Sequence, residues 1–206
     1  MSGVAGVLLA AGAGARFAAA AGDGAPPKPL APFRGRPLVE HALAALAAPD
    51  VAARFVVLGA QADAVVAGAD LAGAEVVRCA GWAEGLSASL RAGVAAASDA
   101  GFDAVVIVLG DQPLLSAAAV ARVIAARQPA RLDALRATYD GVPAHPTLLE
   151  ASTFAAVAQL RGDAGARQAL AAMRVAQVPC DGLGRPDDVD APADLARLEA
   201  LADRRG

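Results

Sequence analysis

The sequence predicts an α/β fold in which a mostly parallel central sheet is covered by helices on both faces. Short β-branched runs alternate along the chain with longer alanine-rich segments, an order typical of parallel strands joined by crossover helices. The chain has 206 residues, of which 56% are apolar, and this is ample for a buried core. Ligands of such folds bind at the carboxyl ends of the strands, so residues that follow strands are the first candidates for a site.

The first half of the chain shows the most regular alternation. Strands are predicted over residues 4–10, 54–59, 75–78 and 103–110, and helices over residues 37–48, 61–69, 86–97 and 117–127. After about residue 131 the pattern changes to strands over 134–139 and 145–149, then helices over 152–160, 165–173 and 193–204. We expect residues 1–206 to form one domain, in which residues 131–192 make a lobe that closes the site.

Composition argues against several classes of protein. A net charge of −3 argues against nucleic-acid binding by bulk electrostatics. No apolar run approaches the ~18 residues of a membrane span, and the N-terminus lacks the basic segment of a signal peptide. Cys79 and Cys180 form neither a CxxC pair nor a zinc pattern, so two reduced thiols are expected. We therefore expect a cytoplasmic protein without a nucleic-acid or membrane partner.

A glycine-containing loop follows the first strand directly. Residues 10–14 read Ala-Ala-Gly-Ala-Gly. Arg16 lies two residues after this run, and Lys28 follows between two prolines. Backbone N–H groups in a side-chain-poor turn can approach phosphate oxygens, while the two cations offset the phosphate charge. The pattern predicts a triphosphate site, and the Gly- and Pro-rich residues 18–32 are expected to form a flexible flap over it.

Two commoner phosphate-binding loops do not match these residues. The dinucleotide fingerprint needs a third glycine where Phe17 stands and an acidic residue after the second strand, where Ala60 and Gln61 occur. A Walker A loop needs Gly-Lys-Ser/Thr, whereas Lys28 comes much later and is flanked by prolines. The third alternative is a turn without a ligand, in which glycine only permits unusual backbone angles. Arg16 and Lys28 argue against it.

Acidic residues form a second group of candidates. Asp111 follows the apolar strand at 103–110, where a carboxylate is well placed to hold Mg²⁺ against the phosphates; its alternative role is to cap the next turn. Asp188 and Asp190 lie on one side of the chain if their segment is extended, so that either could complete the Mg²⁺ shell. Helix capping is the alternative for these two residues.

Several other side chains have two open interpretations. Ser87 and Ser89 either contact a base or ribose or cap a helix, and Trp82 either stacks on a ring or packs in the core. His145, in a proline-flanked loop, is either placed for function or structural, whereas His41 is expected to be structural.

The turn at residues 161–167 carries two arginines, Arg161 and Arg167, that can meet an anionic second substrate. Asp163, between them, either takes part in that contact or serves as a helix N-cap.

In combination, these motifs resemble the MobA-like nucleotidyltransferases, and within them the branch that contains the molybdenum cofactor cytidylyltransferases. In order, they are Leu9-Ala10-Ala11-Gly12-x-Gly14-x-Arg16, Lys28, Gly110-Asp111-Gln112-Pro113, His145-Pro146, Gly162-Asp163-x-Gly165-Ala166-Arg167 and Asp188-Val189-Asp190-x-Pro192. The resemblance covers essentially the whole chain. It implies a Rossmann-like three-layer sandwich of the nucleotide-diphospho-sugar transferase type, Mg²⁺ as cofactor, and transfer of a nucleoside monophosphate from CTP or GTP with release of pyrophosphate.

The resemblance also implies residue roles. The backbone of the glycine loop would face the base and phosphates, through Ala10, Ala11, Gly12, Ala13 and Gly14. Arg16 and Lys28 would neutralise the triphosphate, Asp111 and Asp190 would bind Mg²⁺, and Ser89 would lie near the nucleotide. The candidates for acceptor binding are His145, Asp163 and Arg167.

Ala11 bears on the choice of nucleotide. Cytidylyl-transferring members look like Leu-Ala-Ala-Gly at this point, whereas guanylyl-transferring members tend to have Leu-Ala-Gly-Gly, so Ala11 favours CTP. In the family that the chain resembles, a lysine is frequent at the position of Ala164. Its absence here bears on how the second substrate is recognised.

The resemblance implies CTP or GTP and a phosphorylated pterin-type acceptor as partners, with molybdoenzyme maturation factors as further candidates. The acceptor is expected to meet the lobe formed by residues 131–192. The alternatives are a GTP-dependent molybdopterin guanylyltransferase, a methylerythritol-phosphate or sugar-phosphate cytidylyltransferase, and an NAD(P)-linked oxidoreductase similar to nicotine-blue oxidoreductases. A non-catalytic nucleotide-binding regulator is the remaining alternative.

Overall fold

A computed structural model describes residues 3–162 and 173–203, and within these ranges seven strands form one central sheet. The strands are β1 (Val4–Ala10), β2 (Pro32–Phe33), β3 (Arg36–Pro37), β4 (Val51–Leu58), β5 (Glu75–Arg78), β6 (Ala104–Leu109), β7 (Ala134–Tyr139), β8 (Val142–Glu150) and β9 (Val175–Pro179). The helices are α1 (Ala15–Ala21), α2 (Leu38–Ala44), α3 (Ala62–Gly68), α4 (Leu86–Asp99), α5 (Ala117–Ala125), α6 (Phe154–Val157) and α7 (Pro192–Asp203). Short 3-10 turns occur at Lys28–Leu30, Trp82–Glu84 and Ala151–Thr153.

The central sheet has the strand order β5-β4-β1-β6-β8-β7-β9, and β2 and β3 form a separate hairpin. Strands β5, β4, β1 and β6 are parallel to their neighbours, β8 is antiparallel to both β6 and β7, and β9 is parallel to β7. The predicted α/β fold with a mostly parallel central sheet is therefore confirmed. Strands β7, β8 and β9, from the segment expected to form a lobe, continue this same sheet.

Helices cover both faces of the sheet, and its central strands are therefore buried on both sides. Along β1, Leu8 packs into one cluster with residues of α2, α3 and α5, while Val7 and Leu9 pack into a second cluster with residues of α4. Strand β6 alternates in the same way, with Val106 in the first cluster and Val105 in the second. Burial on both faces explains the continuous apolar runs of these two strands.

Several segments of the structure differ from the prediction. Residues 15–21 are helical, although 18–32 was expected to be a loop, because alanine favours helix and Phe17 packs with Val189 and Leu198 in a third buried cluster. The helix expected over 152–160 is a 3-10 turn followed by the short α6. Strand β9 was not predicted, since its residues are mostly half-buried at the sheet edge.

The helix expected over 165–173 lies almost wholly outside the described residues. Helix α7 packs its buried Leu198 into the third cluster. Both cysteines are free and buried. In the described part of the chain, every helix is too short or too polar to cross a membrane.

Candidate functional site

A cavity of about 390 Å³ opens where β1 and β6 end. The two strands are parallel neighbours with Leu9 opposite Leu109, and the Gly110 N–H donates to the Leu9 carbonyl at 2.9 Å, so the loops that follow them leave the same edge of the sheet. The cavity is lined by Leu9, Ala10, Ala11, Gly12, Gly14, Lys28, Pro29, Trp82, Gly85, Leu86, Ser89, Leu109, Gly110 and Asp111. Both of the predicted motifs at strand ends therefore contribute to one cavity.

Gly14 shapes the wall of this cavity beside Lys28. It precedes α1 with φ 64°, in the left-handed region that glycine adopts without strain, and its carbonyl accepts from the Ala18 N–H at 2.9 Å. A Cβ atom built on Gly14 would lie 2.9 Å from the Cβ of Lys28. Gly14 thus allows Lys28 to approach the loop closely. At Gly12, by contrast, a Cβ atom would meet nothing within 4 Å.

Lys28 and Asp111 form an ion pair at the cavity wall. The Lys28 Nζ lies 2.7 Å from Asp111 Oδ2, and the two side chains are 14% and 29% exposed. The 3-10 turn that begins at Lys28 is held by the buried Pro29. Because both charges are largely withdrawn from water, removal of either would leave the other poorly compensated. The pair brings together the lysine predicted to bind phosphate and the carboxylate predicted to bind a metal.

A second ion pair joins Arg16 to Asp190, with Nη1 and Oδ2 3.0 Å apart. Their side chains are 82% and 48% exposed, so water screens the attraction and the pair contributes little to stability. Asp194, rather than Asp190, supports the start of α7, because its Oδ2 accepts from the backbone N–H groups of Asp190 and Ala191 at 3.0 and 2.9 Å. The Asp190 carboxylate therefore pairs with Arg16 and does not cap α7.

Asp188 is held by a residue that sequence reasoning did not single out. The Gln112 amide donates from Nε2 to Asp188 Oδ1 at 2.8 Å and to the Pro186 carbonyl at 3.0 Å. Partial burial raises the pKa of Asp188, and the charges of Asp111 and Asp190 raise it further. Since Gln112 and Asp188 are 76 positions apart, no local sequence signal could have revealed this contact.

The carboxylates fit a divalent cation that is completed by a substrate. In the described residues, no group of three or more His, Cys, Asp or Glu side chains is arranged to hold a metal. Mg²⁺, however, is commonly bound by one or two carboxylates together with substrate phosphates and water. In the ligand-free structure Asp111 and Asp190 are each paired with one cation, Lys28 and Arg16 respectively.

Helix α4 supplies another wall of the cavity. Ser89 is buried and lines the cavity, whereas Ser87 is fully buried with its Oγ 3.5 Å from Arg91 Nη1. Gly85 precedes the helix and no side chain caps it, so neither serine has the capping role considered from the sequence. Trp82 also lines the cavity, where its ring is partly exposed.

Of the three predicted acceptor-binding residues, only His145 lies in the described part of the chain. His145 shares a hydrogen bond between its Nδ1 and the Ile107 carbonyl at 3.2 Å, and burial lowers its pKa to about 4, so the ring is neutral. It is absent from the cavity lining, as are Ala13, Arg16 and Asp190. Asp163 and Arg167 lie outside the described residues.

Two residues outside the cavity have local roles. The Arg161 guanidinium bonds the carbonyls of Ala158 and Leu160, at 3.3 and 2.8 Å. His41 lies 2.8 Å from the Phe33 carbonyl and edge-on to the Phe33 ring, and burial lowers its pKa.

Comparison with known proteins gives one full-length relative among curated sequences. The chain is 36% identical over 205 residues to the nicotine blue oxidoreductase of Paenarthrobacter nicotinovorans, covering 95% of this chain and 96% of that protein. Rv0371c from Mycobacterium tuberculosis H37Rv has a similar crystal structure, with a TM-score of 0.81, 29% identity and coverage of 97% and 98% of the two chains. A second structure of Rv0371c, with a TM-score of 0.77, is a complex with manganese.

The fold also matches a more distant solved structure. CMP:2-keto-3-deoxy-manno-octonic acid synthetase complexed with CTP has a TM-score of 0.71 at 16% identity, with full coverage of both chains. The three-layer fold is thus of the nucleotide-sugar transferase type, as expected. Residues 6–178 match the family model described as the MobA-like NTP transferase domain. The chain therefore belongs to the MobA-like NTP transferase family and is a nucleotidyltransferase.

Proposed function

We propose that this nucleotidyltransferase moves CMP from CTP to a phosphorylated acceptor, the molybdenum-molybdopterin cofactor, in a Mg²⁺-dependent reaction that releases pyrophosphate. The observation that carries the proposal is the Lys28–Asp111 pair, which joins a cation and a carboxylate at one cavity wall beside the glycine loop. A cavity of about 390 Å³ is within the size range of small-molecule sites. The family membership supports the triphosphate, and the acceptor follows from the resemblance to the cytidylyltransferase branch.

The mechanism needs no basic side chain to activate the acceptor. A phosphomonoester is largely dianionic near neutral pH, because its second pKa is about 6. Its oxygen attacks the α-phosphorus of CTP, the bond to the β-phosphate bridging oxygen breaks, and pyrophosphate leaves with the electron pair. Asp111 and Asp190 would hold Mg²⁺, which supplies charge stabilisation for the phosphates. Lys28 and Arg16, released from their carboxylates, would neutralise the departing pyrophosphate.

CTP is favoured over GTP on account of Ala11. This residue lines the cavity and is buried against the second core cluster, so its methyl group takes space that a glycine would leave to a larger base. A pocket difference of one methyl group is commonly worth about 1–3 kcal/mol. Methylerythritol phosphate and sugar phosphates are alternative acceptors. Their phosphate oxygens attack in the same way, so the site needs the same catalytic groups whichever molecule carries the phosphate.

An NAD(P)-linked oxidoreductase is the second candidate, and one observation favours it: the full-length relative is named nicotine blue oxidoreductase. The glycine loop counts against a dinucleotide site, since Phe17, which stands in place of the third glycine, is buried in the third cluster. The family model over residues 6–178 favours the transferase.

Thermal shift with Mg²⁺ separates the two candidates. A ligand present at a hundredfold excess over its dissociation constant stabilises the folded state by about 2.7 kcal/mol. We expect the largest shift with CTP, a smaller one with GTP or ATP, and none with NADPH. Labelled CTP incubated with molybdenum cofactor should then yield pyrophosphate and a dinucleotide product, and sugar phosphates serve as control acceptors. A response to NADPH alone would replace the proposed function by the oxidoreductase.

A further inference from the structure

The segment that carries Asp190 has no regular structure to place it. Residues 180–191, all described, contain neither helix nor strand. The backbone is tied to the loop after β6 by two bonds: the Arg185 N–H donates to the Leu114 carbonyl at 3.0 Å and the Val189 N–H to the Asp111 carbonyl at 2.9 Å. The position of Asp190 relative to Asp111 therefore depends on contacts between this segment and that loop.

Gln112 supplies the side-chain part of this connection. Its amide nitrogen donates to both the Pro186 carbonyl and Asp188 Oδ1, at 3.0 and 2.8 Å, and its side chain is buried. Its Oε1 is also buried but has no hydrogen-bond partner in the described residues. A buried acceptor without a partner costs about 1–3 kcal/mol, which offsets part of what the two donated bonds contribute to stability. What Gln112 offers instead is a fixed attachment for Asp188.

The Gln112 amide also places Asp188 close to Asp111 and Lys28, because the charges of both residues act on the Asp188 carboxyl group. Gln112 directly follows Asp111 in the chain, and Asp188 is two residues before Asp190. The Gln112 side chain therefore links the chain next to Asp111 to the segment that carries Asp190. These two carboxylates are the ones proposed to bind the metal.

We infer that Gln112 is a positioning residue, which through Asp188 holds Asp190 at the distance from Asp111 that a shared divalent cation requires. The inference rests on the proposed function, because it concerns the same metal site. It also assigns the two acidic residues different tasks: Asp188 accepts the Gln112 amide, and Asp190 binds the metal. An asparagine at 188 keeps an acceptor oxygen for Gln112, so the task of Asp188 does not require its charge.

The test measures Mn²⁺ binding by electron paramagnetic resonance with the full chain in the presence of CTP and with a protein-free CTP blank, because Asp111 and Asp190 are paired with Lys28 and Arg16 in the ligand-free structure. Gln112→Met removes the amide while it keeps the volume, and Asp188→Ala removes the same bond from the other side. We expect each to weaken Mn²⁺ binding about tenfold, and the double variant to be no worse than either single variant, because both act through one bond. Asp188→Asn should stay within about twofold of the unsubstituted protein.

A matched control separates positioning from general stability. Ser116 Oγ fastens the same segment farther from the site, by bonding the Leu183 carbonyl, and it caps α5 by accepting from the Ala119 N–H at 3.2 Å. Ser116→Ala should lower the melting temperature as much as Gln112→Met but leave Mn²⁺ affinity unchanged. At saturating CTP, Gln112→Met should raise the Mg²⁺ concentration needed for half-maximal rate far more than it lowers kcat.

The outcomes distinguish this inference from the proposed function. If the unsubstituted protein binds Mn²⁺ and Gln112→Met binds it equally well, the positioning role is wrong while the metal site stands. If Asp188→Asn weakens binding as much as Asp188→Ala, Asp188 is itself a metal ligand, and the assigned division of tasks is overturned. If the unsubstituted protein with CTP binds no Mn²⁺ beyond the CTP blank, the proposed metal site and the positioning role both fail.

Discussion

Replacement of Gly14 and of Gly12 by alanine should have opposite effects on stability, although the two residues are neighbours in one loop. At Gly14, φ is 64°, and an added Cβ would lie 2.9 Å from Lys28 Cβ. The left-handed region costs a non-glycine residue about 1–2 kcal/mol, before any displacement of Lys28. For a chain of this size, each kcal/mol lowers the melting temperature by about 2–4 °C. Gly14→Ala should therefore lower it by about 2–8 °C.

Gly12→Ala is the matched control. The added methyl group meets no atom of the described residues within 4 Å, and the backbone at Gly12 is outside the left-handed region. At such a position, alanine stabilises by about 0.4–1 kcal/mol because it restricts the unfolded chain. The methyl group would, however, occupy space in the cavity that Gly12 lines, so nucleotide binding should weaken.

Two measurements check this pair of predictions. Differential scanning calorimetry without ligand should give a lower melting temperature for Gly14→Ala and an unchanged or higher one for Gly12→Ala. A titration with CTP and Mg²⁺ should give weaker binding for both variants. Equal destabilisation by the two substitutions would refute the conformational argument, and undiminished CTP binding by Gly12→Ala would refute the placement of the nucleotide against this loop.

Three further predictions concern charged and titratable side chains. Lys28→Ala should lower turnover by about two to three orders of magnitude and Arg16→Ala by about one, because Lys28 is largely buried at the cavity whereas Arg16 is mostly exposed. Steady-state rates at saturating CTP measure both effects. Full activity of Lys28→Ala would exclude a catalytic role of Lys28. Asp111→Asn should abolish Mg²⁺-dependent turnover, and Asp190→Asn should cause an equal or smaller loss of turnover, since an amide lacks the charge that holds a hard cation. Unchanged Mg²⁺ titration curves for both variants would refute the proposed metal site. Burial lowers the pKa of His145 from 6.5 to about 4, so the unfolded chain binds a proton that the folded one does not, and stability is lost as the pH falls from about 6.5 to about 4. Chemical denaturation should therefore show that the difference in the free energy of unfolding, the unsubstituted protein minus His145→Gln, decreases as the pH falls through this window. A difference that stays constant would contradict the lowered pKa.

The central strands could be predicted from the sequence because their burial leaves a local signal. Residues 4–10 and 134–139 were predicted as strands with the same bounds that β1 and β7 have. Strand β1 is buried on both faces, so apolar residues follow one another without interruption. Helix α1 was missed because glycine and proline on its C-terminal side suggested a loop, and β9 because an edge strand with half-buried residues has a weak pattern.

The residue types at the site followed from the sequence, whereas their partners did not. That residues after strands would line a site is a general property of parallel sheets, and Gly14, Lys28 and Asp111 were found on this basis. Lys28 and Asp111, however, are 83 positions apart, and Arg16 and Asp190 are 174 apart. Which cation meets which carboxylate depends on the strand order, because β6 lies beside β1 only in the folded sheet.

The sequence by itself determined the alternation of strands and helices, since hydrophobic burial and backbone preferences act on neighbouring residues. It also determined which side chains carry charge at the ends of β1 and β6. Only the tertiary structure decided that Gln112 joins Asp188 and that partial burial lowers the pKa of His145. These properties arise from close approach and loss of solvent, which the chain acquires only when distant segments pack together.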